Sequence, residues 1–253
     1  MAAVYFIGAG PGDPELVTVK GQRLIQEADL VLYAGSLVPK AVVACAKEGA
    51  RVEDSAPLNL EETHALMMET VNSGGMVARV HTGDPSLYGA TREQMELLDR
   101  DGATYEVIPG VTAGFAAAAS ATRSFTVPEV TQTLIFTRMA GKTPVPEAEG
   151  LRKLASHGSA MCIYLSAGNP EGIQEELLAG AYDGATKVVM AYRVGWPDQR
   201  VVECELGQLA ETARCNGFKQ QTVFMILPGQ GELDAGTAKS LLYDKDFQHE
   251  FRK

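Results

Sequence analysis

The sequence predicts an α/β protein of two α/β domains with a ligand cleft between them, and three observations carry that prediction. Short apolar runs alternate with stretches of helical periodicity through the first half of the chain, the pattern of a mostly parallel sheet. Glycine is abundant, 26 of 253 residues, and several glycines stand where an apolar run ends. Near Arg123–Pro128 the alternation gives way to a β-richer pattern, which sets a domain boundary around 120–130. The expected organisation is an N-terminal domain over 1–122, a C-terminal domain over 123–231 and a tail over 232–253. A crevice between domains is the usual place for a ligand.

The first strand, Val4–Gly8, runs into Gly8-Ala9-Gly10-Pro11-Gly12-Asp13-Pro14-Glu15-Leu16. This is not a dinucleotide fingerprint. The third glycine position is Asp13, and Pro11 and Pro14 lack the N–H donors that a phosphate needs. The loop suits close approach to an uncharged or cationic group instead. Val19 to Ala28 reads as a helix and Leu30–Tyr33 as a short buried strand. In the loop that follows, Ala34–Pro39, Ser36 either caps the next helix or faces a ligand. Asn59 and Glu62 have the spacing of a capping box, opening a helix that Gly74-Gly75 ends.

The chain then reaches the stretch that dominates the reading. Met76–Val80 approaches as a strand, His81-Thr82-Gly83-Asp84-Pro85-Ser86-Leu87-Tyr88-Gly89-Ala90 turns, and a helical run passes through Glu93, Met95, Leu97 and Leu98. A strand, a tight turn and a helix start are where an open α/β sheet shows backbone groups to a ligand. Gly83 permits the turn, and Pro85 biases Asp84 away from helical angles. The Asp84 carboxylate is thereby expected near the mouth of the sheet, bonding local N–H groups or a cationic ligand, or else capping the following helix. Tyr105–Ile108 is the next strand, leading to Pro109-Gly110-Val111-Thr112-Ala113-Gly114 and a small-residue helix from Ala116.

In the second half, strands are expected at Thr131–Thr137, Met161–Leu165, Lys187–Tyr192, Arg200–Cys204 and Thr222–Leu227. Helices fit near Glu147–Ser156, Glu171–Leu178 and Leu206–Asn216. Gly141-Lys142-Thr143 imitates the end of a P-loop, but Phe136 stands where the earlier glycine belongs and Pro144 follows.

Composition narrows the function classes. Lys and Arg total 22 against 32 Asp and Glu, a formal net charge of −10, which argues against a general nucleic-acid binder. No apolar run has the length of a membrane span. The N-terminal apolar stretch lacks a charged n-region and reads as a strand, not a signal peptide. Cys45, Cys162, Cys204 and Cys215 are scattered, as are His64, His81, His157 and His249. Neither a zinc site nor structural disulfides are expected, and the thiols fit a reduced, cytoplasmic protein.

Gly8-Ala9-Gly10-Pro11-Gly12-Asp13-Pro14, Thr82-Gly83-Asp84-Pro85 and Pro109-Gly110-Val111-Thr112-Ala113 occur in the order and spacing of a known family. The chain resembles the class III S-adenosylmethionine-dependent tetrapyrrole methyltransferases over nearly its whole length. Tyr33–Val38, His81–Ala90, Thr126–Thr133, Thr137-Arg138 and the tail Leu242–Arg252 resemble the group acting on precorrin-4, metal-free or cobalt-loaded. In place of the Arg-Gly-Gly-Glu run of uroporphyrinogen methyltransferases stands Ala90-Thr91-Arg92-Glu93, which argues against that substrate.

The resemblance implies C-11 methylation in corrin biosynthesis by a homodimer, with S-adenosylmethionine in the cleft. By the same analogy Pro11, Thr82, Gly83, Asp84, Leu87, Thr112 and Ala113 line the cofactor site from the first domain. Leu165, Val194 and Thr222 do so from the second. Tyr33, Ser36 and Glu93 are candidates for the macrocycle side. A precorrin carries many carboxylates while this chain is acidic, so a local basic rim is required. Arg138 and Arg193 are its leading candidates, from a pool that includes Arg92, Arg123, Lys142 and Arg200. No catalytic base is expected, because a sulfonium methyl is already activated and its transfer needs mainly alignment. The competing readings are a relative acting on another precorrin or another acceptor, and a non-catalytic tetrapyrrole- or nucleoside-binding protein.

Overall fold

Residues 2–230 and 247–248 are described by a computed structural model, in which the chain divides into two units. One comprises Met1–Ala116 together with Arg193–Gln199; the other comprises Ala117–Tyr192 and the chain from Arg200 on. The expected tail over 232–253 lies almost wholly outside the described residues.

The first unit is built on five strands: β1 (Val4–Gly8), β2 (Leu30–Tyr33), β3 (Arg51–Asp54), β4 (Val77–His81) and β5 (Tyr105–Ile108). They pair in the order β3-β2-β4-β1-β5, and every pairing is parallel. The mostly parallel sheet expected from the alternation is therefore present. β1, β2 and β4 are buried along their full lengths, as strands covered on both faces must be. On one face Ile7, Val31 and Val80 meet Leu24 and Ile25 of α1 (Val19–Glu27) and Val42 of α2 (Lys40–Val43). On the other, Phe6, Leu32 and Val77 meet Met67 of α3 (Leu60–Asn72) and Leu98 of α4 (Arg92–Arg100). The expected capping box opens α3: the Asn59 side chain accepts from the Glu62 N–H, and the Glu62 carboxylate accepts from the Asn59 N–H.

The second unit follows α5 (Ala113–Ser120), which starts in the first unit and ends in the second. Its strands are β6 (Leu134–Arg138), β7 (Ala160–Tyr164), β8 (Lys187–Tyr192), β9 (Arg200–Glu205) and β10 (Thr222–Leu227). They pair in the order β6-β7-β10-β8-β9; β6–β7 is parallel and the rest antiparallel. α6 (Leu151–Ala155), α7 (Pro170–Leu178) and α8 (Leu209–Cys215) close a core containing Met161, Ile163, Ile173, Leu177 and Phe224. Two expected helices are shorter than their periodicity suggests. Glu147–Ser156 divides at Gly150 into a 3-10 turn and α6, and Leu206–Asn216 begins with a 3-10 turn before α8.

Candidate functional site

Three loops meet at the carboxyl edge of the first sheet, and they meet because glycine leaves room for it. After β1 the Gly10 N–H donates to the Gly83 carbonyl at 3.2 Å, and the Gly83 N–H donates to the Gly10 carbonyl at 2.7 Å. That pair joins the loop after β1 to the loop after β4. A Cβ on Gly110, in the loop after β5, would stand 2.2 Å from the Gly83 carbonyl oxygen and 2.7 Å from Gly8 Cα. Gly8 has the same constraint in reverse, 2.5 Å from Gly110 Cα. Gly83 itself takes φ +61°, a left-handed angle that glycine adopts without strain. The three sequence motifs are thus one structural junction.

Asp84 fastens that junction. Its Oδ2 accepts from the Gly110 N–H at 2.9 Å, while Oδ1 accepts from the Ser86 N–H and hydroxyl. Burial pushes the carboxyl up, but these hydrogen bonds together hold it below the usual carboxylate range. Asp84 is therefore an anion at neutral pH, fixed at the sheet edge. It bonds local N–H groups, as one expectation had it, and it does not cap α4, whose N-cap is Thr91. The rest of the loop is strained: Tyr88 and Ala90 take φ +57° and +47°.

Pro11 is buried in this junction, with Thr82 and Leu87 half-buried beside Gly83 and Asp84 in the second loop. Thr112 and Ala113, also half-buried, bring the third loop into α5. Val194 and Arg193, expected with the second domain, belong to the first unit. The segment Arg193–Gln199 lies on the glycine-rich loop: added Cβ atoms would bring Gly12 within 2.4 Å of Trp196 and Gly195 within 2.8 Å of the Asp13 nitrogen. Apolar spacing does not mark this seven-residue excursion; the glycine at 195, which takes φ +78° in the structure, and Trp196 are its only sequence signals.

In the second unit, Leu165 follows β7 with φ +53° and a side chain 70% exposed. A bulky residue held in the left-handed region, with its apolar surface in solvent, is what a ligand-facing position looks like. Thr222 is 4% exposed and donates its hydroxyl to the Gln220 carbonyl, so it is inward-facing and locally satisfied.

The macrocycle candidates separate. Ser36 and Glu93 are exposed; Ser36 is not the N-cap of α2, a place taken by Pro39. Tyr33 is packed in the core at 5% exposure. The arginines expected on a rim are mostly engaged elsewhere. Arg138 donates to the Met139, Thr143 and Pro144 carbonyls, tying down its own loop. Arg193 pairs with Asp198 at 2.8 Å and lies 4.2 Å over the Trp196 ring. Arg123 pairs with Glu203 and Arg92 with Glu96, while Arg200 covers Tyr192 and Phe218. Lys142 is exposed and makes no hydrogen bond or ion pair among the described residues.

The junction has one fixed anion, glycine backbone packed too closely at Gly8 and Gly110 to admit a Cβ, and the first turn of an eight-residue helix. Those features suit a small ligand with both cationic and anionic groups. A profile described as Tetrapyrrole (Corrin/Porphyrin) Methylases matches residues 3–210. The chain belongs to that family. It is 46% identical, over 99% of its own length and 97% of the relative's, to a cobalt-precorrin-4 C(11)-methyltransferase of Priestia megaterium. It is 45% identical to a precorrin-4 C(11)-methyltransferase of Pseudomonas aeruginosa, over 98% of both chains. Among solved structures, a cobalt precorrin-4 methyltransferase superposes with TM-score 0.87 at 45% identity, covering 88% of this chain and 94% of that one. A uroporphyrin-III C-methyltransferase of Thermus thermophilus, complexed with S-adenosylhomocysteine, gives TM-score 0.71 at 28% identity, covering 89% and 97%.

Among the described residues no group of three or more His, Cys, Asp or Glu side chains is placed to hold a metal ion, and no helix is long and apolar enough to cross a membrane.

Proposed function

We propose that this chain transfers the methyl group of S-adenosylmethionine to C-11 of precorrin-4 or cobalt-precorrin-4, a step in building the corrin ring of cobalamin. The observation that carries the proposal is near-full-length identity of 45–46% to proteins named for that reaction. The junction of the three loops agrees with it.

The donor fits the residues present. Asp84, kept ionised by Ser86 and Gly110, offers a negative charge to a cationic group. Gly83, Thr82 and Pro11 give a close backbone approach, and Leu87, Thr112 and Ala113 add small or apolar surface beside it. By the family resemblance Leu165, Val194 and Thr222 are each candidate contacts to the nucleoside. S-adenosylmethionine supplies a methyl group already activated on a sulfonium. The protein's share is to hold acceptor carbon, methyl and sulfur in line, an alignment that contributes roughly 7–11 kcal/mol in favourable cases. It also keeps water out. No general base is required of it.

For the acceptor, Ser36 and Glu93 remain candidate contacts. Arg138 and Arg193 would act by shaping the loops they tie down, with Tyr33 behind as core. We further propose a homodimer acting in the cytoplasm; sedimentation of the purified protein at twice the mass of one chain would support the dimer. The function itself is tested by incubating the protein with S-adenosylmethionine and either tetrapyrrole. A product heavier by one CH2 and methylated at C-11 is expected. Methylation at another carbon, or none with either acceptor, would overturn the proposal.

A further inference from the structure

Below the α3–α4 face of the first sheet lies a positive charge without a counter-ion. Arg79, in the middle of β4, is only 7% exposed. Its Nε donates to Gln94 Oε1 at 2.9 Å, and its Nη1 to the Leu32 carbonyl at 3.2 Å and Ser55 Oγ at 3.0 Å. All three acceptors are neutral. Among the described residues no carboxylate pairs with this guanidinium. Burial lowers its pKa to about 10, which still leaves it cationic at neutral pH. A buried charge without a counter-ion is destabilising, and an anion brought to it would offset that cost.

The guanidinium borders a cavity of about 350 Å³, lined also by Ser55, Asn59, Thr63, Ala90 and Glu93. Asn59 and Leu60 place the N-terminus of the 13-residue α3 in the wall; the Glu62 carboxylate already accepts from the Asn59 N–H there, so the guanidinium is the feature that favours an anion. Ala90, at the end of the loop that Asp84 opens, contributes to the same wall. Glu93 opposes an anion, but it is exposed, whereas Arg79 is deep. The volume admits a carboxyalkyl side chain and not a macrocycle.

We propose that Arg79 and this cavity form a carboxylate subsite, which takes one acidic side chain from the periphery of the tetrapyrrole and fixes the ring's rotation. The inference rests on the functional reading above. It also answers the charge problem that the engaged rim arginines leave open: recognition comes from one buried guanidinium rather than from a basic rim.

The test compares wild type, Arg79→Met and Thr63→Met by steady-state methylation of precorrin-4 or cobalt-precorrin-4, with S-adenosylhomocysteine affinity measured by calorimetry. Thr63→Met fills the cavity from α3 while leaving the guanidinium in place, so it decides the matter if Arg79→Met does not fold. Loss of a charge-assisted contact is expected to raise the tetrapyrrole KM about tenfold or more. S-adenosylhomocysteine affinity should stay unchanged in both variants. A folded variant of either kind with an unchanged tetrapyrrole KM would overturn the subsite. Wild-type protein that binds S-adenosylhomocysteine yet methylates neither tetrapyrrole would overturn the functional reading, and the subsite with it.

Discussion

Gly110 is the residue on which the three loops converge, and its side-chain hydrogen cannot be exchanged for a methyl without moving backbone. Gly110→Ala is expected to destabilise the protein by about 1–3 kcal/mol, as overpacking does, and urea denaturation would measure it. His81 makes a second residue-level prediction. Burial, then the charge of Arg79, lowers its pKa to about 3 against a hydrogen bond to the Gly89 backbone that raises it, and its Nε2 has no partner. The folded protein holds this imidazole neutral while the unfolded chain protonates it. Stability is therefore fully present above about pH 6.5 and falls as the pH drops toward 3, by up to about 1.4 kcal/mol per unit. Asp84, with a lowered pKa, loses its contribution in the same direction at lower pH still. His81→Gln should flatten the acid limb between pH 6 and 4 in urea titrations; an unchanged slope would contradict the assignment. Asp84 and Gly83 were legible in the sequence because Gly-Asp-Pro geometry is local. Arg79, and the partners of Arg138 and Arg193, were not, since a guanidinium's partners are set by chain segments far away or by loop shape.

At the scale of elements, strands and helices showed where apolar spacing or capping chemistry declares them. β8 and β10 fall at their expected limits, and the Asn59–Glu62 box opens α3 as its spacing implied. β3 escaped because Arg51-Val52-Glu53-Asp54 is a mostly exposed edge strand, decorated with the Arg51–Glu53 and Arg51–Glu69 ion pairs, and so shows no apolar run. The excursion of Arg193–Gln199 escaped because its position depends on which unit it touches, a matter that spacing does not encode. That element gives a direct optical prediction. The sequence has one tryptophan, and Trp196 stands against Gly12, next to Pro11. Titration with S-adenosylhomocysteine should shift or quench its emission in a saturable way. No change at saturating ligand would separate the glycine-rich loop from the cofactor.

For the whole molecule, the two sheets divide by connectivity: a parallel sheet whose strand ends carry all three motifs, and a mixed sheet that carries Leu165. The alternation of strand and helix announced the first, and the change of pattern near Arg123 announced the second. The family follows from the match across residues 3–210, and the cofactor role of the loop junction is the claim on which the functional account depends. The most direct measurement is calorimetry with S-adenosylhomocysteine on wild type and Asp84→Ala side by side, with the fold of both confirmed by circular dichroism. The account predicts saturable binding by the wild type and an affinity at least about tenfold lower in Asp84→Ala, the loss expected when a charged hydrogen-bonding group is removed. Equal affinity in the two proteins, or no wild-type binding at millimolar ligand, would contradict it.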